Sequence, residues 1–162
     1  MIEIHETARV SSLAEIEDSL KGSRIVVGAQ SMIDSFVKIK PAGGIGDLII
    51  GTNVSINSGT VIYTGNGITI GNDVAIAANC TLAPVNHEYK SRHQLIREQG
   101  FKPSKGGIVI EDDVWIGANC VLLDAACLKR GCVIAAGSIV RGEVPAYSIN
   151  GGNPLRIIGW RE

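Results

Sequence analysis

The sequence predicts an all-β chain that winds as a parallel coil of short strands, because a six-residue aliphatic repeat runs through a chain with few aromatic residues. Hydrophobic residues make up 45% of the 162 residues and aromatic residues only 4%, which indicates a core of thin layers too narrow for rings. A six-residue period drifts around a helix of 3.6 residues per turn, which argues against an amphipathic helix. The repeated positions are Ile4, Val10, Ile16; Val27, Ile33, Ile39; Ile50, Ile56, Ile62; Ile70, Ile76, Leu82; and Ile110, Ile116, Leu122, Leu128, Ile134, Val140.

Each six-residue unit predicts one side of a triangular coil. Gly, Asn or Asp often follows the aliphatic residue, as in Ile70-Gly-Asn-Asp, and these residues tolerate the backbone conformations of corners. Three sides complete one coil, and stacked coils pair as parallel strands about 4.8 Å apart. The fourth residue after the aliphatic one is mostly small or β-branched: Val54, Thr60, Val74, Cys80, Val114, Cys120, Ala126, Cys132 and Ser138. We therefore expect Cys80, Cys120 and Ser138 to stack in one ladder.

The period divides the chain into three parts. Residues 1–24 fit either a further coil or a short acidic helix over 13–20. Residues 25–142 are predicted to form the β-helix, interrupted by an inserted loop at about 84–107, where the repeat stops between Leu82 and Ile110. Residues 143–162 are predicted to form a C-terminal cap. Helix is expected only near 91–98 and in the tail after Pro154.

Charge and composition exclude several classes of partner. The formal net charge of −1 gives no reason to expect binding to nucleic acid or to a membrane surface. No apolar run approaches the ~18 residues of a membrane span, and MIEIHETARV lacks the pattern of a signal peptide, so we expect a soluble, cytoplasmic protein. The four cysteines, Cys80, Cys120, Cys127 and Cys132, form no CxxC pair. We interpret them as reduced core residues and expect no metal site.

The inserted loop is the first place to look for chemistry, because a long loop on a rigid scaffold is more often functional than a short turn. His87 stands where the coil ends, and an imidazole titrates near neutral pH, which suits it to take a proton from a hydroxyl. From the residues alone, an exposed histidine without a role is the simpler interpretation. His93 lies deeper in the loop and is expected on the surface or near the compound that carries this hydroxyl. His5 is expected to be structural or exposed.

Three segments carry a resemblance to a known family. They are Ile110-Glu-Asp-Asp-Val-Trp-Ile-Gly-Ala-Asn-Cys-Val, Ile134-Ala-Ala-Gly-Ser-Ile-Val and Gly151-Gly-Asn-Pro. In this order they resemble the hexapeptide-repeat acyltransferases, in particular the maltose, galactoside and polysaccharide O-acetyltransferases, whose members form left-handed β-helices. The resemblance extends from about Val27 onward. The chain departs from it at Leu123-Asp-Ala-Ala-Cys-Leu-Lys-Arg-Gly, where the family has a Pro-Gly turn and an Ile-Gly, and we interpret this segment as a variant corner.

The resemblance implies transfer of an acetyl group from acetyl-coenzyme A directly to a hydroxyl, on a sugar or a polysaccharide precursor. Pro84-Val-Asn-His87 matches the family's catalytic histidine segment, which implies that His87 is the general base. The same alignment implies that Asn57 and Asn86 bind the acceptor, although Asn57 equally fits a plain corner asparagine. Glu88 either orients the His87 imidazole or is simply solvated.

The resemblance places the coenzyme A-binding residues in the later coils and the cap. Trp115 should point outward, either lining the cleft near the pantetheine arm or packing on a neighbouring subunit. Arg141, Arg156 and Arg161 follow the last coil and either meet the phosphates or are surface charges. The resemblance assigns six residues to coenzyme A, with the two alanines flanking the arm and the asparagine near the adenine: Trp115, Ala118, Ala136, Arg141, Asn153 and Arg156.

A single coil presents a wall rather than a pocket, and the family builds its clefts between subunits. We therefore expect a homotrimer in which His87 and Trp115 of one site come from different chains. Two other functions remain open: a non-catalytic β-helix scaffold, and a zinc enzyme like the γ-type carbonic anhydrases, which needs three histidines where only His87 and His93 are close in sequence. Serine or a nucleotide-sugar amine is an alternative acceptor.

Overall fold

The computed structural model describes all residues, Met1–Glu162, as a left-handed β-helix with one inserted loop. Three strands form each coil. The first three coils contain β1 (Ile2–Ile4), β2 (Arg9–Val10), β3 (Glu15–Ile16), β4 (Ile25–Val27), β5 (Met32–Ile33), β6 (Lys38–Lys40), β7 (Leu48–Ile50), β8 (Ser55–Ile56) and β9 (Val61–Tyr63). The fourth contains β10 (Ile68–Ile70), β11 (Ala75–Ile76) and β12 (Thr81–Ala83), and the loop with the helix α1 (Ile96–Gln99) follows it.

The chain resumes after the loop with two more coils and a cap. These contain β13 (Ile108–Ile110), β14 (Trp115–Ile116), β15 (Val121–Leu123), β16 (Cys127–Leu128), β17 (Val133–Ile134), β18 (Ile139–Val140), β19 (Glu143–Val144), β20 (Ser148–Gly151) and β21 (Arg156–Trp160). The strands make three parallel faces: face A is β1-β4-β7-β10-β13-β16-β19, face B is β2-β5-β8-β11-β14-β17-β20 and face C is β3-β6-β9-β12-β15-β18. The prism therefore has three corners: A–B, B–C and C–A.

Aliphatic side chains fill the prism, as the repeat predicts. Ile50, Ile70 and Ile110 stack in register on face A, although 20 and then 40 residues separate their coils. Each is 2% exposed or less. The buried core of 28 residues contains only Ile, Leu, Val, Ala and Cys. The interior is therefore too narrow for aromatic side chains, which explains their scarcity in the sequence.

The predicted ladder of small residues is confirmed. Thr60, Cys80, Cys120 and Ser138 each precede a strand of face C, and those strands pair in register. The Cys80 thiol donates to the Gly117 carbonyl at 3.2 Å, and the Cys120 thiol donates to the Ala135 carbonyl at 3.2 Å. All four cysteines are free thiols. Cys80, Cys120 and Cys132 are buried packing residues, and burial raises the pKa of Cys132 to about 12. Cys127 is half-buried at an outward position of face A beside Val109, so the predicted core position is wrong for Cys127.

Additional residues are confined to the C–A corner. The coils after the loop repeat every 18 residues, as the ion pair of Glu111 with Lys129 shows, whereas earlier coils repeat every 23 or 20. The excess lies in residues 17–24, 41–47, 64–67 and 84–107, all between face C and face A. The insertions therefore stack along one edge of the prism, and the long loop projects from the same edge.

Both ends of the chain form strands rather than helices. Residues 1–24 form a further coil, β1–β3, and the helix alternative over 13–20 is wrong. The predicted helix near 91–98 is reduced to the single exposed turn of α1. The helix expected after Pro154 is wrong: β21 pairs antiparallel with β20, because the last strand of face B would otherwise leave its backbone groups unpaired. No helix in the structure has the length and apolar character needed to span a membrane.

Candidate active site

The base of the inserted loop is seated on glycines of the C–A corner. Val85 follows the buried Pro84 and lies over Gly43 and Gly65 from the two preceding coils. A Cβ added at Gly43 would lie 2.7 Å from Val85 Cγ1, and one at Gly65 would overlap the same atom. Only glycine leaves room for this contact, which fixes the chain two residues before His87.

His87 sits on a short antiparallel stem rather than on a free loop. The Glu88 amide donates to the Gly100 carbonyl at 2.9 Å, and the Lys102 amide donates to the Asn86 carbonyl at 2.8 Å. Between these two hydrogen bonds, the His87 and Phe101 rings stack with centroids 4.6 Å apart and an interplanar angle of 35°. The imidazole is exposed and makes no side-chain hydrogen bond within the chain. Phe101 therefore orients a side chain that remains accessible to a ligand.

The Glu88 carboxylate hydrogen-bonds to the backbone of the turn that follows it and does not orient the His87 imidazole. One oxygen of its carboxylate accepts hydrogen bonds from the backbone amides of Tyr89 (2.8 Å) and Lys90 (3.0 Å). These amides hold the pKa of Glu88 below its usual value, with smaller contributions from the positive charges of Lys102 and Lys90. The Glu88 carboxylate therefore stabilises the stem that carries His87.

Asp124 ties down the far end of the loop. Its two carboxylate oxygens accept hydrogen bonds from the backbone amides of Lys105 (2.8 Å) and Gly107 (2.9 Å), and the residue is only 8% exposed. Asp124 belongs to the segment 123–131 that departs from the family pattern. The variant corner thus has a structural role, since it anchors the return of the loop to the coil.

Replacing Asp124 with alanine should loosen the loop. The change leaves two amides without their charged acceptor, which should cost about 2–3 kcal/mol of unfolding free energy. We expect faster proteolytic cleavage between residues 88 and 105, measured by mass spectrometry of limited digests. Asp124→Asn keeps one carbonyl acceptor and should be intermediate. Cleavage of Asp124→Ala at the wild-type rate would show that the loop is held in another way.

Two cavities of different character flank the stem. A cleft of about 270 Å³ opens beside His87 and has no charged side chain in its lining of Ala42, Gly43, Tyr63, Ala83, Val85, His87 and Phe101. A larger cavity of about 600 Å³ is lined by Asn86, Tyr89, Lys102, Pro103, Lys105, Leu123, Asp124, Ala125, Arg141 and Gly142. Lys102, Lys105 and Arg141 make the second cavity basic. The adjacent residues Asn86 and His87 thus line different cavities.

A third cavity brings together part of the predicted coenzyme A-binding set. Arg141, Asn153 and Arg156 line a cavity of about 250 Å³ at the end of face C, and Arg141 also lines the basic cavity. Arg161 does not join them. Its guanidinium donates to the Asp113 carboxylate and to the Gly131 carbonyl, both at 2.9 Å, at the A–B corner, so the expected grouping of three arginines is wrong for Arg161.

The remaining predicted residues lie on other parts of the prism. Trp115 points outward from face B, 55% exposed, between Ala75 and Val133 of the adjacent strands. Face B is the side of the triangle opposite the C–A corner, so Trp115 and His87 of one chain lie on opposite sides of the prism. One chain alone cannot place both in the same cleft.

The B–C corner holds three further predicted residues. Ala118 and Ala136 lie in consecutive coils there, where the Gly137 amide donates to the Ala118 carbonyl at 2.8 Å. Asn57 occupies the same corner in the third coil, and its side-chain amide donates to the Ile76 carbonyl at 2.8 Å. The structure therefore gives Asn57 a role in the corner and does not bring it next to Asn86, so its acceptor role stays a prediction.

The three histidines are separated. His5 lies in the first coil and its ring nitrogen contacts the Thr7 hydroxyl at 3.0 Å, while His93 is exposed near the tip of the loop. No group of three or more His, Cys, Asp and Glu side chains is arranged to hold a metal ion.

Comparisons with known proteins agree with this architecture. The family model described as "Bacterial transferase hexapeptide (six repeats)" matches residues 107–142. This segment contains β13–β18, the two coils whose inward ladders follow the six-residue period without interruption. Residues 107–142 are thus similar to the repeats of this family. The matched coils carry Trp115, Ala118, Ala136 and Arg141.

Proteins that are similar to this chain in sequence bear acetyltransferase names. Serine acetyltransferase 2 of Arabidopsis thaliana is 30% identical over 122 residues, which cover 75% of this chain and 32% of that protein. A putative lipopolysaccharide biosynthesis O-acetyl transferase of Escherichia coli K12 is 27% identical over 142 residues, covering 85% of this chain and 69% of that protein. The chain thus spans about a third of the first relative.

Solved structures show the same fold. An N-acyltransferase from Bacillus cereus, in complex with dTDP-4-amino-4,6-dideoxyglucose and coenzyme A, superposes with a TM-score of 0.84 at 22% identity, covering 99% of this chain and 84% of the other. A hexapeptide-repeat acetyltransferase from Vibrio cholerae, complexed with acetyl-coenzyme A, gives a TM-score of 0.63 at 28% identity, covering 99% and 72%.

Sequence reasoning missed five residues of the site. They are Tyr63, Phe101, Lys102, Lys105 and Asp124. Four lie in or beside the inserted segments of the C–A corner, where the repeat supplies no register. The sequence did mark the position of Asp124, because this residue lies in the segment that departs from the family pattern.

Proposed function

We propose that the chain is an acetyl-coenzyme A-dependent O-acetyltransferase that acts on a hydroxyl of a sugar or polysaccharide precursor, with His87 as general base. One observation carries this proposal: the dipeptide Asn86–His87 separates a basic cavity from an uncharged cleft. A donor with negative phosphates suits the first space, and a neutral hydroxyl compound suits the second. The exposed imidazole stands at the boundary, where the two reacting groups would meet.

The donor side fits a phosphate-rich molecule. Lys102, Lys105 and Arg141 line the basic cavity, and Arg156 extends the positive charge into the adjoining one. The one carboxylate in the lining, that of Asp124, already accepts two backbone amides, so it does not pair with the cationic side chains. The Lys102 ammonium lies 3.6 Å from the centroid of the Tyr89 ring, and Lys105 and Arg141 are available to phosphate oxygens. The relatives named acetyltransferases, and the structures that hold coenzyme A or acetyl-coenzyme A, support this assignment.

The chemistry needs one proton acceptor. As the acceptor oxygen bonds to the acetyl carbonyl carbon, its proton passes to the His87 imidazole, and the carbon–sulfur bond breaks to release the thiol of coenzyme A. Returning the proton from the imidazole to the sulfur balances the reaction and regenerates the base. A thioester is already activated, so no metal is required in this scheme.

The complete site is proposed to form between copies of the chain in a homotrimer. His87 and Trp115 lie on opposite sides of one prism, and the loop exposes apolar side chains, among them Tyr89, Leu95 and Ile96. Both features are explained if the loop of one copy packs against face B of the next. Light scattering of the purified protein should give three times the chain mass, and a stable monomer would remove this part of the proposal.

An assay of thiol release tests the activity directly. Purified protein is incubated with acetyl-coenzyme A and, separately, with neutral glycosides, amino sugars, nucleotide-sugars and L-serine. We expect release of free thiol with the glycosides, together with an O-acetyl product identified by mass spectrometry. Absence of turnover with every acceptor would favour the non-catalytic scaffold.

Removing the side chain of Arg141 or Arg156 should weaken the binding of acetyl-coenzyme A. We expect Arg141→Ala and Arg156→Ala each to raise KM for acetyl-coenzyme A by about tenfold, because each removes a charge-assisted contact to phosphate. The effect should shrink at high salt. Arg161→Ala is the matched control, since that guanidinium is paired at another corner. Equal effects of all three substitutions would indicate general electrostatics rather than a phosphate site.

A further inference from the structure

The cleft beside His87 has walls that differ from the rest of the loop surface. Tyr63, at the end of β9, forms one side, and Phe101, 51% exposed on the stem, forms the other. Ala42, Ala83 and Val85 make an apolar floor between them. Two aromatic rings, a small floor and one imidazole thus surround a space of about 270 Å³.

We propose that this cleft is the acceptor subsite and that it takes a single neutral sugar ring, with Tyr63 and Phe101 as stacking walls. This inference rests on the proposed function and names its acceptor class. The flat faces of a pyranose carry C–H bonds that pack on aromatic rings, while its hydroxyls project from the edge. A ring lying against Phe101 brings an edge hydroxyl to the imidazole, because His87 and Phe101 are stacked at 4.6 Å.

The charges around the cleft disfavour an amino acid or an acidic sugar. No Lys, Arg, Asp or Glu side chain lines it, so a bound carboxylate or ammonium group would lose water without gaining a partner. The nearest cation along face C is Lys40, which pairs with Tyr63 in the adjacent strand, and its ammonium is already bound to the Glu17 carboxylate. Serine, with two opposite charges, therefore has no complementary groups here.

The size of the cleft limits the acceptor to one ring in direct contact. Its volume lies just below the roughly 300–1,000 Å³ typical of sites for drug-sized ligands, and less than half that of the basic cavity on the other side of the stem. A diphosphate or nucleotide attached to the sugar would have to extend outside the cleft.

The test separates acceptor binding from catalysis. Initial rates of thiol release are measured with acetyl-coenzyme A and methyl glycosides, the corresponding methyl uronates, or L-serine. Tyr63→Leu keeps apolar bulk, removes the ring and leaves the stacked pair His87–Phe101 unsubstituted. We expect it to raise KM for the methyl glycoside about tenfold, with KM for acetyl-coenzyme A and kcat unchanged.

Phe101→Leu should raise KM for the methyl glycoside and also lower kcat, because Phe101 orients the imidazole. Phe101→Tyr keeps the ring, so both KM and kcat should stay close to the wild-type values.

A binding measurement keeps the inference independent of turnover. Saturation-transfer NMR of a methyl glycoside with His87→Ala should show ring C–H contacts that Tyr63→Leu abolishes in the double variant. Phe36→Leu, an exposed aromatic at the B–C corner, is the control and should change neither readout. Preference for serine or uronates, or an unchanged acceptor KM in Tyr63→Leu, would overturn the acceptor class while leaving an active acetyltransferase. If none of the acceptors supports thiol release, the proposed function is contradicted, and the NMR measurement still tests the acceptor subsite.

Discussion

Replacing His87 with alanine should lower kcat by about 10²–10⁴-fold, the usual contribution of a positioned general base. The protein should remain folded, because the imidazole is exposed and makes no hydrogen bond within the chain. Surface substitutions of this kind change the unfolding free energy by about 0.5 kcal/mol, so Tm should move by no more than about 2 °C. Steady-state rates with saturating acetyl-coenzyme A and a thermal melt of the same preparation measure both quantities.

His93→Ala is the matched control for this experiment. It removes an exposed histidine from the same loop, six residues from the predicted base, and should retain wild-type kcat and Tm. A fully active His87→Ala enzyme would refute the assignment of the base and leave only the architecture.

Replacing Ile110 with alanine should have the largest effect on stability. Ile110 is 1% exposed and stacks between Ile70 and Leu128 on face A, where the chain re-enters the coil after the loop. Loss of its side chain leaves a cavity that neighbouring coils cannot close, at a cost of about 2–5 kcal/mol. This corresponds to a fall in Tm of roughly 5–15 °C, measurable by calorimetry or chemical denaturation.

The adjacent residue provides the comparison. Val109→Ala lies in the same strand, but its side chain points outward and is 39% exposed, so we expect a loss below about 1 kcal/mol. Ile110→Val should fall between the two, at about 0.5–1.5 kcal/mol. Equal losses for Val109→Ala and Ile110→Ala would contradict the assignment of inward and outward positions.

The six-residue period is enough to predict the coil, the inward positions and where the regular repeat stops. These follow from the six-residue period: each inward side chain stacks on its equivalents in neighbouring coils, so a local pattern is also a tertiary contact. The same regularity correctly assigned Cys80 and Cys120 to packing and Trp115 to the outside. His87 could be chosen from the sequence because a resemblance supplied a role that spacing does not encode.

The surroundings of His87 and the location of each predicted residue emerge only once the chain is folded. Phe101, Asp124 and the two cavities come from segments without a repeat, whose contacts join residues far apart in the chain. The antiparallel cap was unpredictable for a related reason, since β21 forms to pair an edge that exists only once β20 has folded. The separation of Trp115 from His87 follows from the closure of the triangle, because residues on one face and at the opposite corner are held apart by the packed core between them.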